Sequence, residues 1–195
     1  MSDNTKEIII DAAAKSFSEN GYHQTKMDQI ARTASVAKGT IYYNFSSKAV
    51  LFAEVVVTGI NLLIKKIKKE IEPDMSAEEK LKVLIKCTLD IYLKYNNISS
   101  ILINELGSGI DKKAIARIDE AKNKYIHFIE NIIKEGITKN ELKKLKVEAT
   151  ANAVVELIEG SLSYYLKNKD NLSKDFGENQ IYPLIKEILF EGIKK

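Results

Sequence analysis

Residues 25–48, TKMDQIARTASVAKGTIYYNFSSK, concentrate the side chains best suited to gripping a polyanion. They carry Lys26, Arg32, Lys38 and Lys48 against one acid, Asp28, in a chain whose 30 Lys and Arg nearly balance 27 Asp and Glu. Duplex DNA binding needs such local cation density, because neutralised phosphates release condensed counterions and that release supplies much of the affinity. Thr40, Tyr42, Tyr43 and Asn44 add hydroxyls and an amide that bond phosphate or base edges without adding charge. Gly39 lies among them at a helix-propensity penalty of about 1 kcal/mol relative to Ala. Clearance for a phosphate or base edge explains that choice better than packing does. Ile41 and Phe45, four residues apart, form the inward side of the same short helix. Two adjacent tyrosines cannot both face a core, so one of Tyr42 and Tyr43 is expected to pack partly inward and the other to point out.

These residues need elements to hold them, and the apolar spacing supplies helices throughout. A first helix is expected from Asn4, with Glu7 in the capping-box position, to a stop at Asn20-Gly21. Thr25 opens a short second helix with Asp28 three residues on. Residues 33–36 read as a tight turn, and a third helix covers about 37–44. Two such helices across a four-residue turn form a helix-turn-helix, whose second helix enters the DNA major groove. A long fourth helix opens at Ser46-Ser47 and stops at Pro73. Ser76 and Glu79 form a capping box for the fifth, which Asn96-Asn97 breaks. A short apolar segment over 98–106 follows, ending at Gly107. Long amphipathic helices then run from Asp111 to Gly136, over 147–166 and over about 178–193. Nothing alternates with period two. The expected fold is all-α with about nine helices: a DNA-binding domain over 1–62, its motif at about 25–45, and a helical body over 63–195.

Other chemistries find little support. One cysteine, Cys87, allows no intrachain disulfide and fits a reducing cytoplasm. His23 and His127 stand far apart with no metal-ligand spacing, and no nucleophile elbow or phosphate-binding glycine loop appears. No catalytic residue, metal or cofactor is expected. No secretory leader or membrane span is visible. The basic run at 65–69 offers a rival reading, a membrane-surface module acting through a cationic amphipathic helix. A solvated face with Ile64, Ile67 and Ile71 turned inward is the simpler account.

The spacing of Phe17, Asn20-Gly21-Tyr22, Thr25, Ile30-Ala31, Ala34, Val36, Gly39, Ile41-Tyr42-Tyr43, Phe45, Lys48 and Leu51-Phe52 resembles the DNA-binding domain of the TetR (tetracycline repressor) family. The resemblance implies roles residue by residue. Thr25 would cap the second helix and bond a phosphate, with Lys26 beside it. Lys38 would reach bases or backbone, Gly39 and Thr40 would approach the bases, and Tyr42 and Tyr43 would hold phosphates or touch a thymine methyl. Lys48 would grip a phosphate. Three positions depart from the family pattern. Ser35 replaces a turn glycine, which implies some strain. Ala37 replaces a capping serine, leaving N–H groups for water or phosphate. Asn44 stands where histidine is frequent, so its amide must serve.

The family's layout also implies a homodimer through the last two long helices and a palindromic operator with half-sites about one helical turn apart, roughly 34 Å. It implies a small apolar or amphipathic effector, since members sense acyl-CoA thioesters, drugs or metabolites. The effector would enter the body, move the fourth helix and change the separation of the two reading heads. Candidate lining residues are Tyr92, Tyr95, Asn104, Tyr125, Phe128 and Tyr164, each a polar tip or aromatic face on a mostly apolar helix, although core packing also accounts for each aromatic.

Overall fold

The computed structural model of the chain describes residues 3–100, 102, 111–168 and 180–193. Within them lie nine helices and no strand: α1 Asp3–Gln24, α2 Met27–Thr33, α3 Lys38–Asn44, α4 Lys48–Glu70, α5 Ala77–Lys94, α6 Asn96–Ser100, α7 Lys112–Thr138, α8 Val147–Asn168 and α9 Ile181–Ile193. The all-α expectation holds. No single helix among the described residues is long and apolar enough to cross a membrane. The expected segment over 98–106 and the start of the last helix at Glu178 lie largely outside the described residues.

Several boundaries follow from caps. Ser47 accepts the Val50 N–H at 3.2 Å and so opens α4. Ser76 and Glu79 close the expected capping box: the Ser76 N–H and hydroxyl both donate to Glu79 Oε2 at 2.8 Å. Those two donors hold the Glu79 carboxyl below its ordinary range. Glu141, remote in sequence, accepts the Ala77 N–H at 2.6 Å and supplements the cap. Two ends differ from expectation. The helical backbone of α1 breaks at Gly21, the expected stop, at φ 72°, but a short turn resumes beyond it to Gln24. Helix α2 begins at Met27 rather than Thr25, with Lys26 at its N-cap and no side-chain cap.

The described residues form two compact units, one from 3–61 and 95–121, the other from 62–94 and 122 onward. The described residues of 95–121 belong to the first unit. The reason is apolar: Ile98, Ala114 and Ile118 join Ile9, Phe17, Ile30, Ile41, Phe45 and Phe52 in one buried cluster. The Phe17 and Phe52 rings meet nearly edge-on at 5.3 Å, and Tyr22 meets Phe52 at 5.1 Å. In the same unit Glu54 of α4 receives both Lys6 of α1, at 3.4 Å, and Arg117 of α7.

The second unit buries Ile67, Leu81, Leu84, Ile85, Val154, Ile158, Leu162 and Ile185. Its basic run is a solvated helix face. Lys66 sits 3.6 Å from Asp90 and 3.9 Å from Glu70, Lys68 lies over the Phe128 ring at 5.6 Å, and Ile67 is fully buried. The charges that a membrane would have to attract are partly matched by acids and packed on protein, which gives the rival reading no support.

Gly136 does not end α7, as its position suggested, but lies inside it. A Cβ there would stand 2.5 Å from Ala77 Cβ and 2.8 Å from Leu142 Cγ. The glycine therefore lets α7 touch the start of α5. Gly136→Ala should lower stability by about 1–3 kcal/mol through overpacking, read as a fall in Tm. Gly59→Ala, with nothing within 4 Å, should raise Tm or leave it unchanged.

Candidate nucleic-acid interface

The turn between α2 and α3 is closed by backbone bonds. The Ala34 N–H donates to Ile30 O at 2.8 Å, and the Val36 N–H donates to Ala31 O at 3.0 Å. Ser35 between them takes a left-handed conformation, φ 54°. The expected strain at this glycine-like position is therefore present, because a Cβ costs about 1–2 kcal/mol there. Ala37 precedes α3 with no side-chain cap, as its type requires. On its inner edge, Ile41 and the C-cap residue Phe45 are 0% and 1% exposed.

The outer face of α3 is open. Tyr43 is 79% exposed and Tyr42 45%, so neither tyrosine belongs to the core, although Tyr42 is the more covered of the two. Lys26, Lys38 and Gly39 are exposed and Thr40 is half-buried. A Cβ on Gly39 would meet nothing within 4 Å. No packing within the described residues demands a glycine there, which favours clearance for a ligand. The Asn44 amide donates back to Thr40 O at 2.8 Å. Its N–H is thus turned onto its own helix.

Two expected phosphate ligands have other employment. Thr25 is 1% exposed, and its hydroxyl lies 2.6 Å from Gly21 O and 3.1 Å from Ser16 O. It ties down the kinked end of α1 and does not cap α2. Lys48 donates to Tyr22 O at 2.7 Å, Thr25 O at 3.1 Å and His23 O at 3.3 Å, with its ammonium 4.4 Å from the Tyr22 ring centroid. Three donors meet three carbonyls, which is the full capacity of an ammonium. Burial lowers its pKa below the ordinary lysine value. In this arrangement Lys48 clasps the α1–α2 corner. Spacing could not reveal this, because the carbonyls belong to residues 23 to 26 positions away. A charge pair also escaped the sequence reading: Lys38 Nζ lies 2.9 Å from Asp28 Oδ2, across the turn.

The body candidates do not converge on one place. Tyr125 and Thr88 share a 2.7 Å hydrogen bond. Tyr92 donates to Glu159 at 3.1 Å, and Lys122 reaches Glu159 at the same distance. Burial, reinforced by the Glu159 charge, pushes both phenols well above their ordinary pKa. Tyr95 packs against the core of the first unit. Phe128 lies under Lys68. Tyr164, 54% exposed, lines an open groove of about 330 Å³ with Glu156, Leu157, Gly160, Ser161, Ile181 and Leu184. Asn104 lies outside the described residues. Of potential nucleophiles, Cys87 is buried, and burial with a hydrogen bond to Glu70 pushes its thiol up to about 11. No group of three metal-ligating side chains occurs among the described residues.

The family model for bacterial regulatory proteins of the tetR family matches residues 9–55, and that for the tetracyclin repressor-like C-terminal domain matches 74–167. The chain belongs to the TetR family. It is 28% identical to the fatty acid metabolism regulator protein of Bacillus subtilis over 186 residues, 95% of this chain and 93% of that protein. It is 27% identical to the transcriptional regulator SrpR of Pseudomonas putida, over 86% of this chain and 78% of that one. Among solved structures, FadR of Bacillus subtilis in complex with stearoyl-CoA superposes with a TM-score of 0.80 at 26% identity, covering 95% of this chain and 98% of its own. These relatives are regulators, and this TetR-family member is a DNA-binding transcriptional regulator.

Two substitutions separate the roles on this face. Gly39→Ala should raise Tm slightly, by up to about 1 kcal/mol of helix propensity, while weakening duplex binding about tenfold or more in a mobility-shift titration. Lys48→Ala should lower stability by about 1–2 kcal/mol through its lost carbonyl bonds, leaving the salt dependence of residual DNA binding unchanged. A slope reduced by about one per subunit, with Tm intact, would instead return Lys48 to the phosphate contacts.

Proposed function

We propose that this regulator is a cytoplasmic homodimeric repressor that leaves a palindromic operator when an amphipathic acyl-CoA thioester enters its body. The exposed face of α3 carries the DNA half of this reading: Lys38, Gly39, Tyr42 and Tyr43 are exposed and Thr40 is half-buried beside them, on a helix whose inner edge is anchored by Ile41 and Phe45. With Lys26 they are the expected base and phosphate contacts, and residues 1–62 are the DNA-binding domain. Asn44 would join them only by turning its amide away from Thr40. Thr25 and Lys48 contribute by holding the corner between α1 and α2.

A two-turn helix reads only a few base pairs, so two copies are needed. The dimer seam is assigned to α8 and α9. There Tyr164, Leu184 and Ile188 are 54%, 42% and 53% exposed, beside the open groove described above. Apolar side chains exposed together on neighbouring helices favour association.

The effector class rests on the relative solved with stearoyl-CoA and on the largely apolar body, whose Tyr92, Tyr125, Lys122 and Glu159 supply polar partners. Helix α4 contains residues of both compact units, which makes it the natural carrier of a ligand-driven shift. An effector that prefers the DNA-incompetent conformation by about 2–3 kcal/mol lowers operator affinity roughly thirty- to over a hundredfold.

The test is a duplex selected from a random pool by the purified protein, labelled and followed by fluorescence anisotropy. Stearoyl-CoA at micromolar concentration should release it, whereas free coenzyme A should not. Salt-sensitive binding that no acyl chain length reverses would remove the thioester and leave the DNA reading standing.

A further inference from the structure

Helix α3 carries a single charged side chain, Lys38, and that charge is already engaged in the free protein. Its partner Asp28 is the only acid in residues 25–48 and lies in the first turn of α2, where an anion is favoured by the helix dipole. The two meet at 2.9 Å across the turn, although both remain largely exposed, at 65% and 53%. Neither is buried by packing, so the pair is available to DNA and can be exchanged. The geometry points to Asp28 as a specificity-determining residue that holds the Lys38 ammonium away from flanking phosphates until a base edge in the proper register competes for it. This rests on the DNA-binding role of α3 and adds a residue to it that carries the wrong charge for a phosphate contact.

The physical consequence differs between two kinds of duplex. On DNA of arbitrary sequence, affinity comes almost wholly from cations near phosphates. A lysine paired with a carboxylate contributes little net charge there. On the selected sequence, Lys38 gains directed bonds to base acceptors, and a side chain already held beside the groove loses less freedom in making them. Asp28 therefore suppresses non-specific binding more than specific binding.

The test uses the full chain as wild type, Asp28→Asn, Lys38→Ala and the double variant, with Asp28→Ser as a second neutral replacement. Each is titrated with a mixed-sequence duplex and with the duplex recovered from a random pool by the wild type, at several KCl concentrations. Asp28→Asn and Asp28→Ser should tighten mixed-sequence binding about three- to tenfold and steepen its salt slope by about one per subunit. The selected duplex should gain less, so the ratio of the two affinities falls. In the Lys38→Ala background the same replacements should have no such effect. Equal tightening on both duplexes, an effect that survives Lys38→Ala, or parallel weakening of both with a lowered Tm would each overturn the inference. Failure of the wild type to bind any duplex would instead overturn the DNA reading itself.

Discussion

The anchoring of α3 by Ile41 and Phe45 is the constraint on which the rest depends. A helix of seven residues is not stable alone in water, since nucleation costs more than so few bonds return. Burial of these two side chains among Phe17, Ile30 and Phe52 holds it in place. Because the anchor occupies one edge, the opposite edge stays in solvent, and it carries Tyr42, Tyr43 and Gly39. The exposed surface and the buried anchor are two faces of the same two turns. A change on the inner edge would shift the exposed face without altering any residue on it.

Around that anchor the polar groups are arranged to fix angles. Thr25, Gly21 and Lys48 define the corner through which α1 passes into α2. Ser35 accepts a left-handed backbone so that α2 can pass into α3. Glu54 gathers Lys6 and Arg117 onto α4. Each is a local charge or hydrogen bond whose value lies in orientation, since exposed ion pairs add little stability by themselves. In the second unit the buried Thr88–Tyr125 bond and the half-buried bonds of Tyr92 and Lys122 to Glu159 meet a different requirement. Polar groups taken out of water must find partners, and these do.

Much of this was legible in the residues alone, for identifiable reasons. Helical spacing and capping signals located the elements: the Ser76–Glu79 box and the Ser47 start of α4 are local chemistry, fully encoded within four residues. The departures from the family pattern were also readable, because a serine lacking glycine's freedom and an alanine lacking a hydroxyl carry their consequences with them. Sequence alone thus determined an all-α chain, a helix-turn-helix near residues 25–45 and its family.

Tertiary structure decided what the polar side chains do. Lys48 is a plausible phosphate ligand on its own. Only the fold brings the carbonyls of residues 22, 23 and 25 to it, and an ammonium with three acceptors in reach takes them. Thr25 is a plausible helix cap until the kink at Gly21 places a carbonyl 2.6 Å from its hydroxyl. Leu184 and Ile185 are equivalent by type, yet one is 42% exposed and the other fully buried, because packing selects a single face of α9. Local propensity is a property of the chain, whereas the partner of a charge or a methyl group is a property of distance. Distances between residues far apart in sequence exist only once the chain is folded.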